Sequence, residues 1–145
     1  MRRVFYGHDM GTSASVGLLA VRIAVGVALM MHGWPKIQNP LVWMGAEGPP
    51  GPLQAAAAVA EFVGGGALVL GLLTRLFALV IAITMATAAG MVHFPAGDPF
   101  VGKPGSPSWE LAGVYFAVAI LFLLAGPGRI SLDALLFGDA HVASD

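Results

Sequence analysis

The sequence predicts an all-α protein: a four-helix transmembrane bundle with both termini cytoplasmic and a short C-terminal interfacial helix. Three observations carry this. Four long apolar stretches divide the 145-residue chain, at about 14–34, 53–73, 76–94 and 107–125. Apolar residues make up 57% and charged residues 10%, where a soluble domain carries ~25% charged residues. Positive charge is distributed unevenly between the segments that join the stretches. The length suits a single domain spanning residues 1–145.

The first stretch follows Thr12-Ser13-Ala14-Ser15, where a hydroxyl is placed to cap the orphan amides of a helix, and Pro35 helps to end it after Trp34. Arg2 and Arg3 precede it as they would in a signal peptide. Arg22 interrupts the apolar run, however, and no cleavage pattern follows, so we read a retained first span. The second stretch begins after Gly48-Pro49-Pro50-Gly51-Pro52, which cannot be helical, and ends near Gly71. Thr74-Arg75 then forms a tight turn into the third, so that the two make an antiparallel hairpin. The third runs to about Phe94, before Pro95, and residues 95–108 are a Gly/Pro loop. The fourth is short: its charge-free part is 110–125, and it borrows residues from Pro107 onward before Gly126-Pro127-Gly128 stops it. Ser131 caps a last amphipathic helix, Leu132 to Phe137, expected on the membrane surface.

Arg2, Arg3, Arg75 and Arg129 fall on one side of this arrangement, Lys36 and Lys103 on the other. The arginine side is therefore cytoplasmic, and the chain is expected in a bacterial or archaeal inner membrane. Lipid is its surrounding partner. Small residues recur at four-residue spacing: Ala20, Ala24 and Ala28; Ala56, Ala60 and Gly64; Ala78, Ala82, Ala86 and Gly90. Such stripes allow close helix packing, either within one bundle or between copies in a homo-oligomer.

Two opposite charges, Arg22 and Glu61, lie inside the first two stretches, where insertion of an ionised group costs ~2.5–3.5 kcal/mol. Their backbones differ in height by ~8 Å at 1.5 Å per residue, so a direct charge-assisted pair is within reach. Such a pair either only joins the first two spans or serves a polar ligand. His32, Lys36, His93 and Glu110 gather at the outer helix ends, with Glu61 deeper on the same side. His, Lys and carboxylate together suit proton transfer or the holding of a quinone carbonyl. We assign His32 and Glu61 as candidate catalytic groups and Arg22, Lys36, His93 and Glu110 as candidate substrate-binding groups. No ligand spacing supports a metal site, and the chain has no cysteine for thiolate or dithiol chemistry. Gly64-Gly65-Gly66 lacks the strand and Lys-Ser/Thr of a phosphate loop. A net charge of −1 gives no footing for nucleic acid.

Several short motifs resemble the DoxX family of small membrane proteins over residues 15–137. They are Arg22 with Gly26, His32-Gly33 and Lys36, Glu61-Phe62-Val63-Gly64-Gly65, Gly71-Leu72-Leu73-Thr74-Arg75, His93, and Gly126-Pro127-Gly128-Arg129-Ile130-Ser131-Leu132-Asp133. The resemblance implies a four-helix membrane bundle and a link to membrane redox chemistry, since founding members are subunits of thiosulfate:quinone oxidoreductase or terminal quinol oxidase systems. It places Arg22, His32, Lys36, Glu61, Arg75 and His93 at family motif positions without giving a mechanism. The expected function is that of a small subunit of a quinone-linked oxidoreductase, with quinone as ligand and a bound cofactor or redox partner subunit supplying electrons. A non-enzymatic scaffold, cargo receptor or small-solute carrier is the alternative.

Overall fold

The computed structural model describes residues 11–45 and 47–138. Arg2 and Arg3, on which the signal-peptide and part of the orientation readings rest, lie outside them. Every regular element among the described residues is helical. Helix α1 is Thr12–Gln38, α2 is Gly51–Leu70, α3 is Thr74–Ala96, α4 is Glu110–Ala125 and α5 is Leu132–Phe137. The first three have 27, 20 and 23 residues and are long and apolar enough to cross a membrane. Helix α4, also apolar, has 16 residues, or about 24 Å at 1.5 Å per residue.

The helix ends correct several expectations. Helix α1 continues through Pro35 to Gln38. In the last turn a proline removes one amide but leaves little helix beyond it to disrupt. No hydroxyl caps the start of α1. Ser15 is instead buried, and its Oγ accepts a bond from Arg129 N at 3.2 Å, tying α1 to the segment after α4. The turn into α3 is Gly71–Leu73 rather than Thr74-Arg75. Gly71 ends α2 in the left-handed conformation (φ 66°), Leu73 follows at φ 47°, and Thr74 is already helical. Helix α4 starts at Glu110 and not at Pro107, because the preceding residues fold back and Trp109 N donates to Pro99 O at 3.2 Å. The Ser131 cap on α5 is present, with its Oγ accepting from Ala134 N at 3.1 Å.

Helix α1 packs chiefly along α2 and α3 along α4, while α2 and α3 meet through their hairpin. Leu18, Leu29, Leu68, Ile81, Met85, Tyr115, Ala119 and Phe122 form the buried core. Large apolar side chains such as Ile23, Val27, Met31, Val63, Ile83 and Leu124 remain exposed. A soluble protein buries such a belt, whereas hydrocarbon solvates it.

The small residues that matter in α1 are not the expected alanines, since Ala20 and Ala24 are exposed. Gly26 and Gly65 bring α1 and α2 together: a Cβ on either would lie 2.6 Å from the other's carbonyl oxygen. Gly33 likewise faces the backbone of Phe62. These contacts let dispersion act over the full helix face where lipid supplies no hydrophobic drive. They also set the register of everything polar in the bundle. Ala78 and Ala82 are buried as expected, whereas Ala56, Ala86 and Gly90 are exposed.

Candidate functional site

Because Gly33 lies level with Phe62, Lys36 stands about one turn from Glu61 along the α1–α2 seam. The Lys36 ammonium bonds Glu61 Oε1 at 2.6 Å. Glu61 is 6% exposed, and its second oxygen, Oε2, is buried without a hydrogen-bond partner. The Trp43 ring covers the same ammonium, 4.5 Å from its centroid. Tyr115 of α4 is buried within electrostatic range of Glu61.

Beside this ion pair a cleft of about 450 Å³ opens between α2 and α3. Leu53, Ala57, Val80, Ile83 and Met91 supply apolar walls, and Lys36, Glu61, Gln54 and His93 supply the polar groups. Thr84 and Thr87 also line it, but each donates its hydroxyl proton to its own helix, to Val80 O and Ile83 O. The volume suits a single small-molecule ring system with the start of a tail. Near His93, α3 loosens into a π-helical turn, Ala89–His93. Such turns recur at functional positions. His93 Nδ1 lies 2.7 Å from Asp98 Oδ2. An ionised carboxylate can only accept, so Nδ1 carries a proton, and in the neutral ring Nε2 is the acceptor.

The expected pairing of Arg22 with Glu61 is not made. Gly26 is level with Gly65, which sets Arg22 about a turn below it near Val69, some eight residues or ~12 Å from Glu61 along the helix axis. Arg22 extends the other way. It is 1% exposed, and its Nη2 donates to Ile130 O. Its guanidinium fills the space beside Gly71, where any Cβ would overlap it. Asp133, fully buried, supplies the nearby negative charge and holds the hairpin turn, accepting from Leu73 N at 2.7 Å and Thr74 N at 2.8 Å. Arg22 thus belongs to a polar clasp at the Arg75 end and not to the cleft.

His32 is also outside the cleft: it is exposed and stands edge-on to Tyr115, with ring centroids 6.2 Å apart. Glu110 is exposed at the first residue of α4, where a carboxylate complements the helix dipole. Of the six candidate residues, the structure therefore brings together Lys36, Glu61 and His93. Sequence reasoning missed Gln54, Asp98 and Asp133. Asp133 stood in the quoted tail motif, Asp98 lies five residues after His93, and Gln54 is the single amide side chain in α2.

Residues 17–94 match the family model for DoxX, more than half of the chain. The chain belongs to the DoxX family. This DoxX chain is 36% identical to the inner membrane protein YphA of Escherichia coli, over 86% of its own length and 94% of the relative's. It is 34% identical to an uncharacterized protein of Haemophilus influenzae (83% and 90% covered). It is 28% identical to CatD of Bacillus subtilis, which is provisionally named an oxidoreductase (88% and 92% covered). No solved structure matches it. With inner-membrane relatives and three apolar helices of crossing length, this DoxX protein is a multi-pass protein of the bacterial inner membrane.

Proposed function

We propose that the protein is a small integral membrane subunit of a quinone-linked oxidoreductase, and that the cleft between α2 and α3 receives the quinone head group. In this reading the chain crosses the bilayer four times with its Arg75 end cytoplasmic. The observation that carries it is the pairing of a charged floor with an apolar mouth. Glu61 presents a buried, unpartnered oxygen beside the Lys36 ammonium. The walls above are apolar, and Ile83 (59% exposed) and Met91 (53%) lie at the surface of a helix long and apolar enough to cross a membrane, so in this reading the mouth meets lipid. A membrane-dissolved molecule with a carbonyl-bearing ring and an apolar tail matches both ends.

Lys36 donates to a ring carbonyl and Glu61 Oε2 holds or takes a proton beside it. The Trp43 ring covers part of the Lys36 ammonium, which remains partly exposed. His93, its tautomer fixed by Asp98, provides a second proton-carrying group on the opposite wall. The chain has no cysteine for dithiol chemistry, and in this reading a bound cofactor or a partner subunit supplies the electrons. The oxidoreductase name of CatD, a distant relative, agrees with this reading.

The chain contains three tryptophans, and only Trp43 lines the cleft. With Trp34 and Trp109 replaced by Phe, a short-tailed quinone analogue titrated into lipid nanodiscs should quench Trp43 saturably. Ala57→Phe, which fills the cleft wall, should abolish the saturable component. Quenching that rises linearly in both proteins, as from simple partitioning, would reject the quinone reading and favour the scaffold.

A further inference from the structure

We propose that Gln54 is a positioning residue: it latches the loop between α1 and α2 so that Trp43 holds Lys36 on Glu61. Its consequence for ligand affinity rests on the quinone reading, whereas the latch itself does not.

Gln54 lies in the first turn of α2 and is 3% exposed. A buried amide must satisfy two donors and a carbonyl, and this one spends all of them on one loop. Gln54 Oε1 accepts from Met44 N at 2.8 Å, and Nε2 donates to Pro49 O at 2.7 Å and to Gly45 O at 3.4 Å. The Gln54 backbone carbonyl accepts from Trp43 Nε1 at 2.9 Å. The loop is Gly/Pro-rich; successive backbone-bonded turns shape its 39–45 stretch, and the Gln54 side chain ties that stretch to α2.

Trp43 therefore takes its position from Gln54, and Lys36 takes its position from Trp43. A lysine two residues from a helix end ordinarily extends its ammonium toward water. Here the indole face lies over the ammonium on one side and the Glu61 carboxylate bonds it on the other. Cation–π attraction is strongest for tryptophan and grows when the cation is shielded from water. With the loop released, Lys36 regains its rotamers, and the donor that the cleft offers a ligand is no longer preset. Preorganisation of this kind raises affinity by removing an ordering cost from the binding step.

The chain has two lysines, Lys36 and the exposed Lys103, which makes the latch directly observable. With 13C at the ε-carbon of lysine, the indole ring current should move the Lys36 methylene protons upfield of those of Lys103. Gln54→Ala should collapse that difference and weaken binding of the quinone analogue by about tenfold, the equivalent of one ordered hydrogen bond. Gln54→Met, of similar shape and without hydrogen bonds to the loop, serves as the test if Gln54→Ala does not fold. Trp43→Ala should abolish the shift. A Lys36 signal that stays upfield in folded Gln54→Ala or Gln54→Met overturns the latch. A shift that collapses in Gln54→Ala, with no analogue binding even to the unmutated protein, upholds the latch and removes the quinone reading alone.

Discussion

Glu61→Gln should weaken binding of a quinone analogue by roughly tenfold to a hundredfold, the equivalent of ~1.5–3 kcal/mol for a charge-assisted hydrogen bond, while the helices stay folded. The substitution preserves shape and removes the carboxylate that now holds Lys36 at 2.6 Å and keeps a buried, unpartnered Oε2 at the cleft wall. Folding should survive because the Lys36 side chain is 22% exposed and can turn to water once its partner is neutral. The nanodisc quenching titration measures the affinity directly. In the assembled complex, quinone-dependent turnover should fall at least in proportion, since an amide cannot exchange the proton that Glu61 carries. Unchanged affinity and turnover in a folded Glu61→Gln protein would remove Glu61 from the site.

Asp133→Ala should be the most destabilising single substitution outside the glycine contacts, at ~3–5 kcal/mol, and should leave the cleft intact in the protein that remains folded. Two effects combine. The amides of Leu73 and Thr74 lose their acceptor, and a buried donor left unpaired costs ~1–3 kcal/mol. Arg22, 1% exposed, loses its nearby negative charge in a setting where water cannot replace it. The tail is then held less firmly on the turn, although Asp133 N–Gly71 O persists, and Arg22–Ile130 O and Arg129 N–Ser15 Oγ still join the tail to α1. The check is the midpoint of unfolding in mixed detergent micelles. Asp133→Asn, which keeps one acceptor for the turn, should fall between Ala and the unmutated protein. The effects of Asp133→Ala and Glu61→Gln should add, since the clasp and the ion pair lie too far apart to share partners. An unchanged midpoint for Asp133→Ala would show that the hairpin turn is held by something else.

Hydropathy alone made the helical plan legible, since each apolar run corresponds to a helix displaced by a few residues at its ends. The displaced ends at α1 and α4 trace to proline, and the one between α2 and α3 to the left-handed Gly71 and Leu73. Pro35 lies inside α1 because a missing amide costs little in a last turn, whereas Pro107 belongs to a loop that folds back through Trp109. The polar site was half legible. Charge inside an apolar run singled out Arg22 and Glu61, but their pairing depends on register, and the register comes from Gly26, Gly33 and Gly65 rather than from the alanine stripe of α1. A shift of under a turn sends Arg22 to Ile130 and gives Glu61 to Lys36. His32 looked equivalent to Lys36 because both end the same helix, yet the shorter imidazole meets Tyr115 instead. Gln54 and Asp98 bond loop and helix-end residues nearby in sequence, at spacings that no helical period encodes, whereas Asp133 reaches a distant turn. The Asp133 bonds span about 60 residues of sequence, and no local pattern announces them.

In the proposed reading the quinone pocket lies between α2 and α3, floored by Lys36 and Glu61. Photolabelling the protein in membranes with an azidoquinone, with the adducts mapped by mass spectrometry, locates it. The expected result is labelling confined to 53–61 of α2 and 80–93 of α3, suppressed by excess unlabelled quinone. Competable adducts on the His32–Tyr115 face or around Arg22, with none in those two segments, would contradict it.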